Sequence, residues 1–211
     1  MSFFTFSRRI IRNIEDYGAL SASKKALAYC LKPFYEKKVY RIYGIELENA
    51  EVREVDRDCF AFKIINKEDT EIVKQIEAME EWLHGKLEEK LKRKGLCLVI
   101  LDKERVVGFN LISFGEVYIP LLKLRKVFMQ DEAWSEQITI HKDYRQRGLA
   151  SKLRYRIFLE LKKKGIKKLY GGALRNNEPS LKLARKVGFK ELTDVHFLKF
   201  FGHKHYGYHQ I

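Results

Sequence analysis

Hydrophobic spacing divides the chain into an amino-terminal stretch and a longer alternation of strands and helices. In residues 1–50, apolar side chains recur every three or four positions, which predicts two helices. Their members are Phe3, Phe6, Ile10, Ile14 and Tyr17, then Ala26, Leu27, Cys30, Leu31 and Phe34. Gly18 and Pro33 end these helices. Residues 35–47, with aromatics among alternating charges, are compatible with a strand or an extended segment. We assign all of residues 1–50 to a basic amphipathic helical extension, which packs on the domain or on a second subunit, or else lies on an anionic membrane.

From residue 59 the pattern is that of an α/β domain in which strands and helices alternate. Predicted strands cover residues 59–65, 96–101, 106–114, 134–140 and 168–174, with one or two more in 189–201. Predicted helices lie within 69–94, 149–164 and 179–186. Residues 115–132 are too apolar for a free loop, but Pro120 excludes an uninterrupted central strand. We expect a strand extension and a cover over the sheet there.

Charge and cysteine content limit the classes of partner. Lys and Arg number 42 against 28 Asp and Glu, a net charge of +14 that favours polyanions such as nucleic acid, an anionic membrane or a polyphosphate cofactor. Cys30, Cys59 and Cys97 are far apart and odd in number, so neither a disulfide framework nor a zinc site is indicated. No apolar run approaches the ~20 residues that span a bilayer, and we expect a cytoplasmic protein without a metal.

The segment with the clearest chemistry joins the strand at 134–140 to the helix at 149–164. It reads Arg145-Gln146-Arg147-Gly148-Leu149-Ala150. Glycine and a small residue at a helix start let backbone N–H groups approach an anion, and the helix dipole adds positive potential there. The two arginines add mobile charge. This turn alone is compatible with a pyrophosphate site and with a plain strand-to-helix connection.

A second motif raises the specificity of the first. The hexapeptide fits the Q/R-x-x-G-x-G/A motif of GNAT acyltransferases, and about thirty residues later Asn177-Glu178-Pro179-Ser180 opens a helix that ends in Lys186-Val187-Gly188-Phe189. Together they resemble the GNAT signatures, over residues 59–201 and most closely over 134–189. We therefore assign residues 55–202 to a GNAT domain and 203–211 to a carboxy-terminal tail. Rossmann and Walker A motifs do not fit, because Gly148 stands alone and is followed by Leu149.

The resemblance implies a mixed, mostly antiparallel sheet, flanked by helices and splayed at the site of acetyl-CoA or another acyl-CoA. The pantetheine arm would pair with strand backbone in the splayed region, and the pyrophosphate would lie on the glycine-containing loop. The positions that match the family's cofactor contacts are Ile138, Thr139, Ile140, Arg145, Gln146, Arg147, Gly148, Leu149, Ala150, Asn177 and Ser180.

The family's chemistry is direct attack of an amine on the thioester, with backbone N–H groups stabilising the oxyanion and side chains moving protons. Here the usual catalytic residues are replaced, because Trp134 occupies the position of a common Glu and Ala184 that of a common Tyr. Glu136, two residues further along the strand and so on the same face, is the candidate base. Tyr144, next to the loop, is the candidate acid.

The acceptor is the least defined part of the prediction. We expect a primary amine on a small molecule or a carrier. A weaker resemblance to stand-alone prokaryotic GNAT proteins of envelope polysaccharide synthesis implies an amino sugar or nucleotide sugar. A non-catalytic CoA-binding sensor or scaffold and a basic protein that binds nucleic acid or a membrane surface are the alternatives. A homodimer is left open.

Overall fold

The computed structural model describes residues 34–51 and 60–211. The two predicted amino-terminal helices, with Cys30 and Cys59, lie outside the described residues. Contacts divide the described chain into two compact units. The larger comprises Tyr40–Asp194 with Gln210–Ile211, and the described part of the smaller comprises residues 34–39 and 195–209. Of the helices in the described ranges, none combines the length and the apolarity needed to cross a lipid bilayer.

Ten strands and four α-helices are described. The strands are β1 Tyr35–Glu46, β2 Ala61–Ile65, β3 Leu96–Asp102, β4 Arg105–Ser113, β5 Glu116–Ile119, β6 Leu124–Val127, β7 Glu132–Ile140, β8 Lys168–Leu174, β9 Lys190–Phe200 and β10 His203–Gln210. The helices are α1 Thr70–Met79, α2 Leu87–Lys92, α3 Leu149–Lys163 and α4 Glu178–Lys186.

The main sheet has eight strands. In the larger unit its order is β9-β1-β8-β7-β4-β3-β2, and β5 and β6 form a separate two-stranded sheet. From β1 to β2 the neighbours pair antiparallel except β7 and β8, which are parallel. The predicted mixed, mostly antiparallel sheet flanked by helices is confirmed. In the smaller unit, β10 occupies residues assigned to a tail from the sequence.

Both faces of the sheet are covered by helices, which explains why β3 is apolar almost throughout. On one face, Leu98 and Ile100 belong to a cluster with Leu153, Ile157 and Phe158 of α3. On the other face, Cys97 and Val99 pack in a second cluster with helix side chains from α1 and α2. Leu98 is 3% exposed and Ile100 is fully buried, so alternate residues of one strand anchor two helical layers. Full burial of each such side chain contributes roughly 1.5–3 kcal/mol.

Two predictions from the sequence need correction. Residues 40–46, assigned to the extension, pair with β8 from Tyr40–Leu174 to Glu46–Lys168 and are an internal strand of the sheet. Residues 115–132 contribute the β5–β6 hairpin in its own sheet and not an extension of a sheet strand, because Pro120 lies in the turn between its two arms.

Adjacent glycines on β8 allow β1 to lie close beside it. A Cβ atom at Gly171 would lie 2.6 Å from the Tyr43 ring, and one at Gly172 would lie 2.3 Å from the Tyr40 ring and 2.9 Å from the Arg41 carbonyl oxygen. Both tyrosines are 5% exposed, so their rings have little room to move. The position of β1 therefore depends on the absence of side chains at these two residues.

We expect Gly172→Ala to lower the free energy of unfolding by about 1–3 kcal/mol, because an added methyl group overpacks a filled site. Urea denaturation measures this change. The matched control is Gly207→Ala in β10, where the nearest atom to an added Cβ is at 3.7 Å and the change should stay within about 0.5 kcal/mol. Equal stability of the two variants would show that the Tyr40 ring is not held against β8.

Candidate functional site

The two parallel strands separate along their length. β7 and β8 pair only at Glu132–Lys168, Ala133–Leu169 and Trp134–Tyr170. Beyond this point β7 continues to pair with β4, and β8 continues to pair with β1. A cleft of about 700 Å³ is lined by the separated ends, residues 135–140 and 172–174. The splayed sheet expected from the resemblance is present, and the separation lies between β7 and β8.

A β-bulge lies at the point where the strands separate. Ser135 pairs with Ile112 and Gln137 with Leu111, so Glu136 has no opposite residue on β4. A bulge turns successive side chains out of strict alternation. Ser135 bonds to a residue of α3, whereas Glu136 and Gln137 both bond to residues on the α1–α2 side. Two adjacent polar side chains are thereby placed on the same side of β7.

The predicted pyrophosphate loop has an open, left-handed backbone. Gln146 has φ of 63° and Gly148 has φ of 73°. Gly148 is the N-cap of α3 and no side chain caps that helix end. The backbone N–H groups of the first helical turn have no intrahelical acceptor, and no capping side chain among the described residues takes the place of one. A Cβ atom at Gly148 would meet nothing within 4 Å, so the approach to these donors is open. The arrangement suits an anion.

The structure brings most of the predicted cofactor residues to one cleft. Those that line it are Ile138, Thr139, Ile140, Arg145, Gln146, Ala150, Asn177 and Ser180. Three others lie in the loop without lining the cleft. Gly148 has no side chain and offers only its backbone groups to a ligand. Leu149 is 2% exposed and packs in the core, so only its backbone N–H is suited to bind a ligand. The Arg147 guanidinium donates to the Asp143 carbonyl at 3.3 Å.

Asn177 has a structural role in addition to its place in the cleft. Its Oδ1 accepts a hydrogen bond from the Ser180 N–H at 3.4 Å and caps α4. Capping fixes where α4 begins, so this pair of predicted cofactor residues positions the helix that forms the far wall of the cleft.

Tyr144 does not reach the cleft. It lies in a short 3-10 turn, residues Lys142–Tyr144, and its hydroxyl donates to Asp102 Oδ2 at 2.7 Å. That hydrogen bond raises the pKa of the Tyr144 phenol, with smaller contributions from burial and from the Asp102 charge. The ring packs edge-on against Phe60. The candidate acid predicted from the sequence is therefore engaged away from the separated strands.

Glu136 does line the cleft, and its carboxylate is compensated. The Lys90 ammonium from α2 lies 2.8 and 2.7 Å from its two oxygens, and the Ser113 hydroxyl donates to Oε1. The Glu136 side chain is 4% exposed. A buried carboxylate requires such partners. Both oxygens of the candidate base are therefore already in contact with hydrogen-bond donors.

Arg154 is a cleft-lining residue that the sequence analysis missed. It is 3% exposed and lines the cleft from α3. Its Nη1 donates to Ser135 Oγ at 2.6 Å and to Asn110 Oδ1 at 3.2 Å, while its Nε has no hydrogen-bond partner in the structure. Within residues 34–51 and 60–211, no carboxylate forms an ion pair with the Arg154 guanidinium. Burial lowers the pKa of this guanidinium.

The sequence contains a signal for Arg154. It stands on α3 four residues after Ala150 and three before Ile157, which places it beside the apolar stripe of that helix. Arginine is rarely buried without a partner, so an arginine beside an inward-facing apolar stripe is a candidate for a polar or functional contact. Tyr40 and Tyr43, which also line the cleft, could not be found in this way because their strand was assigned to the extension.

Comparison with known proteins identifies the family. The sequence profile described as Acetyltransferase (GNAT) family matches residues 50–189. No curated protein matches the chain by sequence.

Solved structures share the fold at low identity. A fungal GCN5-related glucosamine N-acetyltransferase region, part of a multi-domain GH3 β-N-acetylglucosaminidase, superposes with a TM-score of 0.60 at 15% identity, over 83% of this chain and 22% of that one. A GCN5-related N-acetyltransferase from Sphaerobacter thermophilus gives 0.55 at 17%, over 90% and 59%. An aminoglycoside acetyltransferase from an uncultured soil metagenomic sample gives 0.50 at 15%, over 64% and 90%.

The chain thus spans less than two thirds of the length of the first two of these structures, and the likeness at such identity concerns the fold. The profile match covers the separated strands, the glycine-containing loop and the helix that follows Asn177. Because this profile matches more than half of the sequence, the chain belongs to the GNAT family of acetyltransferases.

Proposed function

We propose that the protein is an N-acetyltransferase that binds acetyl-CoA in the cleft between β7 and β8 and transfers the acetyl group directly to a primary amine. The observation that carries the proposal is the loss of β7–β8 pairing after Trp134 and Tyr170, over a cleft lined by the loop of the first motif and the helix start of the second. A simple strand-to-helix turn would not require the neighbouring strands to separate.

The separated edge of β7 offers backbone groups to the donor. Residues 138–140 pair with β4 on one side, so their other groups face the cleft, apart from the Ile140 carbonyl, which accepts from Arg145 Nε at 3.2 Å. An extended pantetheine arm satisfies such groups as a strand would. The pyrophosphate is then placed at the start of α3, where the helix dipole and the loop arginines favour negative charge.

In the proposed reaction the amine nitrogen attacks the thioester carbonyl carbon. A C–N bond forms, the C–S bond breaks, and CoA leaves as a thiolate that takes up a proton. We retain Glu136 as the base, since it lies at the bulge where the strands separate. Tyr144 is not retained as the acid, because its hydroxyl is hydrogen-bonded to Asp102 away from the cleft. Tyr40 and Tyr43 are the phenols that line the cleft, and burial raises the pKa of both, so both stay protonated at neutral pH but give up the proton less readily than an exposed tyrosine.

The donor site is tested first by isothermal titration calorimetry of acetyl-CoA, CoA and ATP. The wild type should bind acetyl-CoA, and Gly148→Asp should weaken binding more than about 100-fold, because a carboxylate then faces the pyrophosphate at the helix start. Aspartate tolerates both the N-cap position and a left-handed backbone, so the fold should persist.

Gly165 provides a matched control for the change at Gly148. Its φ is 74° and an added Cβ meets nothing within 4 Å, so Gly165→Asp introduces the same charge and backbone strain at the other end of α3. Unchanged acetyl-CoA affinity in Gly148→Asp, or an equal loss in Gly165→Asp, would refute the loop assignment.

The second test separates an enzyme from a non-catalytic CoA-binding protein. We expect Glu136→Gln to lower kcat by about 100-fold or more, the usual effect of losing a general base, with unchanged affinity for acetyl-CoA. Glu132→Gln on the same strand, where the carboxylate bonds to Tyr170 and the Met129 N–H, should retain activity. Tight acetyl-CoA binding without transfer to any amine would favour the non-catalytic alternative.

The third test concerns the buried guanidinium. We expect Arg154→Met to weaken acetyl-CoA binding about 10-fold, because positive potential is removed from the wall of the cleft. The free energy of unfolding without ligand should change little, since removal of a buried charge without a counterion is offset by the loss of the donor to Asn110 Oδ1 and Ser135 Oγ. Arg156→Met, at an exposed position of the same helix, is the control. A large loss of stability in Arg154→Met without a change in affinity would assign Arg154 a structural role only.

A further inference from the structure

A second cavity adjoins the donor cleft on the α1–α2 side of β7. Its volume is about 390 Å³. Six of its lining residues are apolar or aromatic: Tyr40, Trp82, Ile119, Pro120, Leu121 and Trp134. Its polar lining consists of Glu80, Glu136 and Gln137, and these three also line the donor cleft. The two cavities therefore meet at the bulge of β7.

Glu80 is the charged group of this cavity that lacks a compensating cation. Its Oε1 accepts hydrogen bonds from Gln137 Nε2 at 3.1 Å and Thr139 Oγ1 at 2.7 Å. These two neutral donors orient the carboxylate without neutralising it. Within the described ranges, no Lys, Arg or His side chain is paired with Glu80. Glu136, by comparison, is neutralised by Lys90. The junction of the two cavities thus carries a net negative charge.

We propose that this cavity binds the acceptor, and that the acceptor is a primary amine carried on an apolar alkyl or aromatic body. The inference rests on the proposed acetyl transfer. The ammonium group binds the Glu80 carboxylate next to the donor cleft, and the body lies among Tyr40, Trp82 and Trp134. Aromatic faces also attract cations, and the Lys90 ammonium already lies 5.8 Å from the Trp82 ring centroid.

The lining selects against amino sugars. A sugar acceptor carries several hydroxyl groups, and each needs a hydrogen-bond partner once it is removed from water. The wall formed by Trp82, Trp134 and the β5–β6 turn offers few such partners, whereas an apolar body gains by leaving water. Pro120 and Leu121 are exposed at the turn, so that a longer body has a path to solvent there.

Proton movements follow from this placement. The bound ammonium gives one proton to a carboxylate at the junction and becomes a neutral nucleophile. Its nitrogen attacks the thioester carbon, the C–N bond forms and the C–S bond breaks. The second proton of the nitrogen leaves as the amide forms. One of the two protons ends on the CoA thiol and the other in solvent, so the products are an N-substituted acetamide and CoA.

The two tryptophans of the chain, Trp82 and Trp134, both line this cavity, which gives a binding readout independent of turnover. We expect 2-phenylethylamine to change the intrinsic fluorescence of the protein saturably and glucosamine to leave it unchanged. With acetyl-CoA present, kcat/KM for 2-phenylethylamine should exceed that for glucosamine by at least about 100-fold, as expected when a site lacks partners for the hydroxyl groups.

Glu80→Gln keeps an acceptor oxygen for Gln137 and Thr139 and removes the charge. It should raise KM for 2-phenylethylamine by about 10- to 100-fold, the usual effect of losing a charged hydrogen-bond partner, with unchanged calorimetric affinity for acetyl-CoA. Glu81→Gln, at the exposed neighbouring position, is the control and should leave KM unchanged.

Each outcome separates the two proposals. Preference for glucosamine, an unchanged KM in Glu80→Gln, or acetyl-CoA binding with no transfer to either amine overturns the acceptor assignment and leaves the donor site standing. Absence of acetyl-CoA binding by the wild type, measured without any amine, overturns the proposed function and the acceptor assignment with it.

Discussion

The loss of pairing between β7 and β8 is the constraint on which the site depends. The two strands run parallel for three residue pairs, and then each follows its other neighbour, β4 or β1. Backbone groups on the two facing edges are left inside the domain without partners from each other, although buried amide and carbonyl groups need hydrogen bonds. The cleft is therefore the place in the described sheet where the proposed extended ligand would supply the missing hydrogen bonds.

Polar residues concentrate around the start of this separation. On the α3 side of the sheet, Arg154 joins α3 to β4 and β7 through Asn110 and Ser135. On the α1–α2 side, the bulge places Glu136 and Gln137 together, and α2 supplies Lys90. Among the buried polar side chains of the described residues, Asn110, Ser135 and Arg154 cluster at this point. A separate ion pair, between the partly buried Arg41 and the buried Asp194, joins β1 to β9.

Local sequence signals predict the parts of the site that are local in the chain. β7, β8, α3 and the loop between 145 and 150 were found because spacing, glycine and helix-start residues specify them within a few positions. The place of β1 was not found, because it depends on β8 glycines more than a hundred residues away. The bulge at Glu136 and the position of Glu80 were missed for the same reason: each is defined by contacts with another element.

The rings of Tyr40 and Tyr43 lie directly beside Gly172 and Gly171 of β8, and Tyr43 also packs edge-on against Phe189. Each ring is 5% exposed and lies against a strand, so neither tyrosine can change its rotamer unless β8 moves. The cleft is therefore stiff on its β1 side, while the opposite side consists of a loop with long arginine side chains. A ligand in the cleft would be positioned by the rigid tyrosines of β1, whereas the arginine side chains of the loop could change conformation to meet its charge.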